Sequence, residues 1–290
     1  MHKLSIVIVN YNAGDFLLDC LSSIEKLSDE AIISTYVVDN ASSDDSIARA
    51  QKKFSSVNFI LSSSNLGFGK GNNLALKKIK TEYVLLLNPD TQLKKGILST
   101  LIKYMDENPD VGASTCEVLL PDGTVDLTAH RGFPTLRASF LYYFLGNDSL
   151  YHLTKYNLKT IHEVDAITGA FFLTRKSVLD KVGLFDEDYF MYAEDIDLCY
   201  RIKKAGYKVM YVPTVSVLHH KGVSSGLKKH TQTITQATLE TRKRALDAFY
   251  KTMKIFYRKH YSKEHPFFVN WLVYMAIDFK WILAKRKLVV

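Results

Sequence analysis

Apolar positions along this chain fall into two rhythms. Short, nearly continuous, β-branched runs at Leu4–Val9, Ile33–Asp39, Val57–Leu61 and Tyr83–Leu87 alternate with stretches whose apolar residues recur every three or four positions, Phe16–Leu27, Asp44–Phe54, Lys70–Ile79 and Lys94–Glu107. The first rhythm suits strands buried on both faces, the second helices with one covered stripe. Further strand-like runs follow at Val111–Ser114, Ala166–Thr174, Lys208–Val212 and Val215–Leu218. Strands alternating with helices predict an α/β fold of βαβ units, with helices flanking a mostly parallel sheet. Ser42 and Ser43 read as caps of the second helix. From about Thr128 to Glu163 the chain is rich in Tyr, Phe, Leu and His without a clear period. From Lys229 onward, long helical patterns broken at Pro266 predict a C-terminal helical extension.

Charge divides the chain the same way. Its 290 residues carry 38 basic and 30 acidic groups, net +8, but residues 221–290 hold 15 of the basic and 4 of the acidic ones, net +11, which leaves −3 for the body. A phosphate-tracking surface would need a basic stripe, so the body is predicted not to bind nucleic acid. In the tail, Phe268, Trp271, Leu272, Met275, Phe279, Ile282 and Leu283 share one helical face, with Asn270, Asp278 and Lys280 opposite. A span needs roughly 20 apolar residues. Asp278 and Lys280 interrupt this stretch, so it suits peripheral contact with an anionic membrane better than crossing. Packing on the body of the chain or in a homodimer is the alternative. Three cysteines, odd in number and far apart, form neither a disulfide framework nor a zinc site and suit a reducing compartment. Leu4–Val9 is too brief for a signal peptide, which points to the cytoplasm.

In open α/β sheets, ligands lie beyond the carboxyl ends of the strands. Here those ends read Asn10-Tyr11-Asn12, Asp39-Asn40, Ser62 to Asn65 and Asn88-Pro89-Asp90. Asp39 precedes the capping positions, where a carboxylate can accept from a base N–H or a ribose hydroxyl. Gly67, Gly69 and Gly71, followed by Asn72, allow close backbone approach and a helix N-terminus that favours an anion. A tight turn explains the glycines equally well. The run differs from a dinucleotide fingerprint, since it follows the third strand and has Asn72 in place of the last glycine. Asp90 stands where Mg²⁺ would bridge to phosphates, or it ends a proline turn. Glu194, Asp195 and Asp197 open a helix, as first-turn acids do, but Tyr189, Phe190, Met191 and Tyr192 crowd them in a way that would raise a carboxylate's pKa toward that of a general base. His219 and His220 end a strand, where a histidine either ligates metal or sits on the surface.

Taken in order, Ile6 to Asn12, Val37 to Asp44, Asn65 to Gly69, Leu85 to Thr91, Gly169 to Phe172, Phe185 to Glu187 and Glu194 to Arg201, with Pro213 and His219, resemble family 2 glycosyltransferases, particularly the rhamnosyltransferase-like branch, over roughly residues 3–225. The resemblance implies a GT-A fold over residues 1–226, with a Rossmann-like nucleotide-sugar half (1–120) and an acceptor half (121–226), followed by the basic extension (227–290). It implies inverting transfer from a nucleotide-diphosphate sugar to a saccharide or lipid-linked acceptor in cell-surface polysaccharide synthesis. Tyr11, Asn12, Asp39 and Asn40 would then hold base and ribose, while Asn65, Gly71, Asn72 and Asn88 would line the nucleotide pocket. Asp90 takes the place of the last aspartate of the family's DxD motif. Asn88 stands where many members have Asp, which leaves Mg²⁺ or Mn²⁺ to Asp90, helped by His219. Inverting transfer needs a base for the acceptor's proton, assigned to Asp195 with Glu194 orienting it. A nucleotidyltransferase, with Lys70 as the phosphate grip, and a non-catalytic binding protein are the rival readings.

Overall fold

The computed structural model describes residues 2–154, 156–221 and 238–289. Strand β1 (Lys3–Asn10), helix α1 (Asp15–Glu25), β2 (Ile32–Asp39), α2 (Ser46–Lys53), β3 (Asn58–Leu61), α3 (Phe68–Leu76) and β4 (Tyr83–Leu87) alternate as the apolar rhythm predicts. Then come β5 (Thr91–Gln92), α4 (Ile97–Glu107), β6 (Val111–Leu119), β7 (His130–Arg131), α5 (Leu136–Leu145), β8 (His162–Glu163), β9 (Ala166–Ile167), β10 (Phe171–Arg175), α6 (Lys176–Val182), α7 (Glu194–Lys204) and β11 (Lys208–His219). Helices α8 (Leu239–His260) and α9 (Phe267–Val289) follow.

The main sheet runs β3-β2-β1-β4-β10-β6-β11-β5, with β8 also paired to β11, while β7 and β9 form a separate ribbon. Strands β3, β2, β1 and β4 pair in parallel, and so do β6 and β11, whereas β10 lies antiparallel between β4 and β6. The long strands thus point one way with β10 alone reversed, and the loops after β1, β2 and β4 gather at one edge. Alternation along β1 explains the layering: Leu4, Ile6 and Ile8 face α1 and α4, while Val7 and Val9 face α3 and α7. Each fully buried side chain of this kind is worth about 1.5–3 kcal/mol. The free cysteines Cys20, Cys116 and Cys199 are all packed inside, and burial pushes the Cys20 thiol up to about 12.

Several local expectations are corrected. Helix α2 starts at Ser46 behind Asp45, and no side chain caps it, because Ser42 is engaged by Asp39 instead. Helix α3 begins at Phe68, so Gly69 and Gly71 are helical. They are small because α3 packs tightly: a Cβ on Gly71 would meet Val9 at 3.1 Å, and one on Gly69 would meet Phe185 at 3.1 Å. The run Ala166–Thr174 breaks into β9 and β10 around Gly169, where a Cβ would lie 2.5 Å from the Phe68 ring. The two runs near Pro213 form the single strand β11, whose pairing with β6 shifts register between Val212 and Ser216, as expected where proline cannot donate to the ladder.

Helix α8 docks on the body. Phe256 joins the core with α7, His260 Nε2 lies 2.7 Å from Asp197 Oδ1, and Lys259 pairs with Asp186 and Asp188. Helix α9 then packs with its polar side inward: Asn270 accepts from the Tyr257 hydroxyl at 2.7 Å, Asp278 pairs with Lys254, the Trp281 indole donates to Asp247 at 2.8 Å, and Lys280 donates to the Tyr143 carbonyl at 2.8 Å. Its apolar side faces out, with Phe268, Trp271, Leu272 and Phe279 each more than half exposed. By length and composition Phe267–Lys287 is apolar enough to cross a membrane, with a mean hydropathy of 1.4. The boundary expected at residue 226, together with Lys228 and Lys229, lies outside the described residues.

Candidate active site

Strand ends β1 and β2 are knitted by side chains. Asn10 Nδ2 donates to Asp39 Oδ1 (2.9 Å), Ser42 Oγ (3.0 Å) and Ser46 Oγ (3.0 Å), and the Ser42 hydroxyl donates to the same Asp39 oxygen at 2.6 Å. Asn12, at φ 50°, accepts the Ser43 N–H at 2.7 Å. Asn40 donates to the Gly67 carbonyl (2.9 Å) and accepts from the Leu66 N–H (3.3 Å), while Asn65 accepts from the Gly67 N–H (2.9 Å). The Phe68 N–H goes to the Phe190 carbonyl. Of the donors that open α3, those of Gly67 and Phe68 are therefore satisfied within the protein.

A cavity of about 1640 Å³ opens at this edge. Tyr11, Asn12, Asn40, Asn65, Asn88, Asp90, Glu194, Asp195 and His219 all line it. Asp39, Gly71 and Asn72 stand behind its wall: Asp39 is occupied by Asn10 and Ser42, Gly71 packs on Val9 and Asn40, and Asn72 donates to the Phe68 carbonyl of its own helix. Lys70 does not line the cavity and pairs with Glu187 at 3.8 Å.

Asp90 and His219 meet inside, although 129 positions apart in sequence, because β5 and the end of β11 pair. His219 Nε2 lies 3.2 Å from Asp90 Oδ1 and 3.3 Å from Asn88 Nδ2. Burial works against the Asp90 charge, but the His219 ring beside it holds the carboxyl below its ordinary value. With the Asn88 amide turned to offer its oxygen, one nitrogen and two oxygens converge here. The donor set therefore fits a divalent ion that takes its remaining ligands from phosphate oxygens and water.

Across the cavity, α7 starts after two residues in the left-handed region, Tyr192 at φ 71° and Ala193 at φ 64°. Such strain persists where surrounding structure over-determines it, commonly at functional sites. Asp195 accepts from the Ile196 N–H at 2.8 Å and the Gly169 N–H at 3.4 Å. Its orientation is set by these two backbone donors and not, as expected, by Glu194, whose buried Oε2 has no partner. Burial raises the Asp195 pKa, opposed by the Arg131 charge. Glu194 is raised further, by burial and then by the neighbouring Asp195. Asp197 plays a structural part instead. Burial opposes its charge, yet His260 and Arg201 keep its pKa below the usual range, and it ties α7 to α8.

Sequence reasoning pointed to the aromatic region Thr128–Glu163, which supplies α5, for acceptor contacts, but missed Arg131 and Lys221 individually and the walls supplied by α8 and α9. Arg131 carried only a faint signal, one of two arginines in an aromatic stretch without period.

A sequence profile described as "Glycosyltransferase like family 2" matches residues 2–248. The chain belongs to this family. It is 32% identical over 240 residues to an N-acetylglucosaminyl-diphospho-decaprenol L-rhamnosyltransferase of Mycobacterium tuberculosis, covering 77% of this chain and 78% of that protein. It is 31% identical over 226 residues to the rhamnosyltransferase WbbL of Escherichia coli, covering 74% and 82%. Its fold is similar to that of a mannosyltransferase from Pyrobaculum calidifontis solved with GDP-Man and Mn²⁺, at a TM-score of 0.56 and 18% identity, over 86% of this chain and 62% of that one. This glycosyltransferase thus has the GT-A fold, and the strand edge carrying its cavity is the edge at which ligands lie in open α/β sheets.

Proposed function

We propose that this glycosyltransferase moves a sugar, with inversion, from a nucleoside diphosphate sugar to a hydroxyl of a saccharide or lipid-linked acceptor in cell-surface polysaccharide synthesis. The observation that carries this reading is one continuous cavity lined by Tyr11, Asn12 and Asn40, by Asp90 and His219, and by Asp195. Residues 1–120 form the nucleotide-sugar half and 121–226 the acceptor half. The two rhamnosyltransferase relatives support a deoxyhexose donor such as dTDP-rhamnose, with a UDP-sugar as the alternative, and the name of the Mycobacterium relative supports a diphosphate-lipid acceptor.

In this scheme Tyr11, Asn12 and Asn40 hold the nucleoside. Asp90 and His219, with Asn88, would hold Mg²⁺ or Mn²⁺, which supplies positive charge for the departing diphosphate. Asp195 takes the proton of the acceptor hydroxyl as that oxygen attacks the anomeric carbon opposite the leaving group. Two backbone N–H groups aim its carboxylate, and burial raises its basicity. The outward apolar side of α9 and the basic residues around it support peripheral binding to an anionic leaflet, on the cytoplasmic face of the plasma membrane.

A screen of UDP, dTDP and GDP sugars, followed by product analysis, tests the reading. Release of a nucleoside diphosphate is expected. Pyrophosphate would favour the nucleotidyltransferase, which the outward placement of Lys70 already disfavours, and no turnover of any donor would favour a binding protein.

A further inference from the structure

The cavity does not end at Asp195. It continues past Arg131 into a groove walled by Phe140 and Tyr143 of α5, Phe249 and Met253 of α8, and Leu272 and Ile277 of α9. The polar nucleotide end and this apolar end are parts of one space, with Arg131 between them.

Arg131 is a half-buried cation whose guanidinium also lies 5.8 Å from the centre of the Tyr151 ring. Its Nη2 donates to the Thr128 carbonyl at 2.7 Å and its Nη1 to the Tyr151 hydroxyl at 3.2 Å, while its buried Nε has no partner. Among the described residues no carboxylate lies within ion-pair distance of it. Buried charges are paired as a rule, because desolvation costs several kcal/mol per ion. Asp195 acts on Arg131 only through space. Lys221 converges on the same corner, held by Asp126 and the Thr128 hydroxyl. The wall therefore presents positive charge where the hydrophobic groove begins.

We propose that Arg131 seats an acidic group of the acceptor, a phosphate or diphosphate ester, and that the groove between α5, α8 and α9 takes the hydrocarbon chain attached to it. The inference rests on the glycosyltransferase reading above and adds the subsite that would select an anionic lipid acceptor. Continuity of the cavity places the ester next to the base, and the outward apolar side of α9 lets the chain enter from a bilayer.

The test uses the full chain in EDTA, so that no cation draws a diphosphate to Asp90 and His219. Farnesyl diphosphate, farnesol and inorganic pyrophosphate are titrated by calorimetry against wild type, Arg131→Gln and Arg131→Lys. Wild type should bind farnesyl diphosphate more tightly than either partial probe. Arg131→Gln should weaken that binding roughly 10- to 100-fold while leaving farnesol unchanged, and Arg131→Lys should recover part of it. Pyrophosphate binding as tightly as farnesyl diphosphate would remove the groove from the proposal. Equal loss of farnesol and farnesyl diphosphate in Arg131→Gln, or no loss of either, would overturn the anion seat. Were the donor screen to fail while Arg131-dependent lipid binding persisted, the catalytic reading would fall and the site would stand.

Discussion

The polar strand edge and the apolar side of the cavity in this enzyme are built on opposite principles. At the edge, Asn10, Asn12, Asp39, Asn40 and Asn65 direct their polar atoms to one another and to nearby backbone, so three loops are locked before any ligand arrives. On the apolar side of the cavity the wall comes from separate helices, the half-buried Arg131 has no carboxylate partner among the described residues, and α9 turns its apolar side to solvent. A preorganised rim suits a nucleotide that binds anew in every cycle. An open, charged and greasy wall suits a partner that completes it.

The sharpest way to separate the two sides is Asp195→Asn. Loss of the base should lower transfer by roughly 10²–10⁴-fold, with nucleotide affinity, measured by calorimetry, unchanged. Retained turnover would remove Asp195 from the role. On the proposed reading Asp195 must be ionised to act, and its pKa is raised by burial against the pull of Arg131. Activity should therefore fall as pH drops through an inflection above the ordinary 3.8, set by burial and by the opposing Arg131 charge. In Arg131→Gln that inflection should move upward.

Asp197→Ala attacks the joint between the sides. It leaves Arg201 without its carboxylate and α8 without its anchor through His260, at a cost on the order of 3 kcal/mol, readable in urea denaturation. The depressed Asp197 pKa adds a sign: its contribution is present above the unfolded-state value and is lost as pH falls through the folded one. Unchanged stability would mean that α8 is held by apolar contacts alone.

Asp90→Ala tests the nucleotide side. In Mn²⁺ it should weaken donor binding at least roughly tenfold, and in EDTA the variant and wild type should bind alike. Identical donor affinity with and without metal in wild type would end the metal assignment. The smallest effect belongs to the outer side: Trp271→Ser should lower flotation with anionic liposomes roughly tenfold without altering donor affinity. Undiminished flotation would point to α9 as a protein-binding face.

Legibility followed the same division. Residues of the nucleotide edge could be found because each follows a strand directly, and strand ends in open sheets converge on one edge whatever the helices do. Even there, side-chain competition was invisible: Ser42 reads as a cap, but Asp39 and Asn10 win its hydroxyl from the helix. Arg131 was hidden because its surroundings, Thr128, Tyr151 and Lys221, are set by turns without period. The amphipathic pattern of α9 was plain, but not which side the protein would take.

Sequence alone determined the alternation of strands and helices, the polar strand ends, the acidic opening of α7 and the basic tail, because each is written in spacing of a few residues. Tertiary structure decided the rest. It brought Asp90 to His219 through strand pairing, tied His260 to Asp197 across 63 positions, and turned α9 inside out, since only packing can choose among partners that many separations would allow.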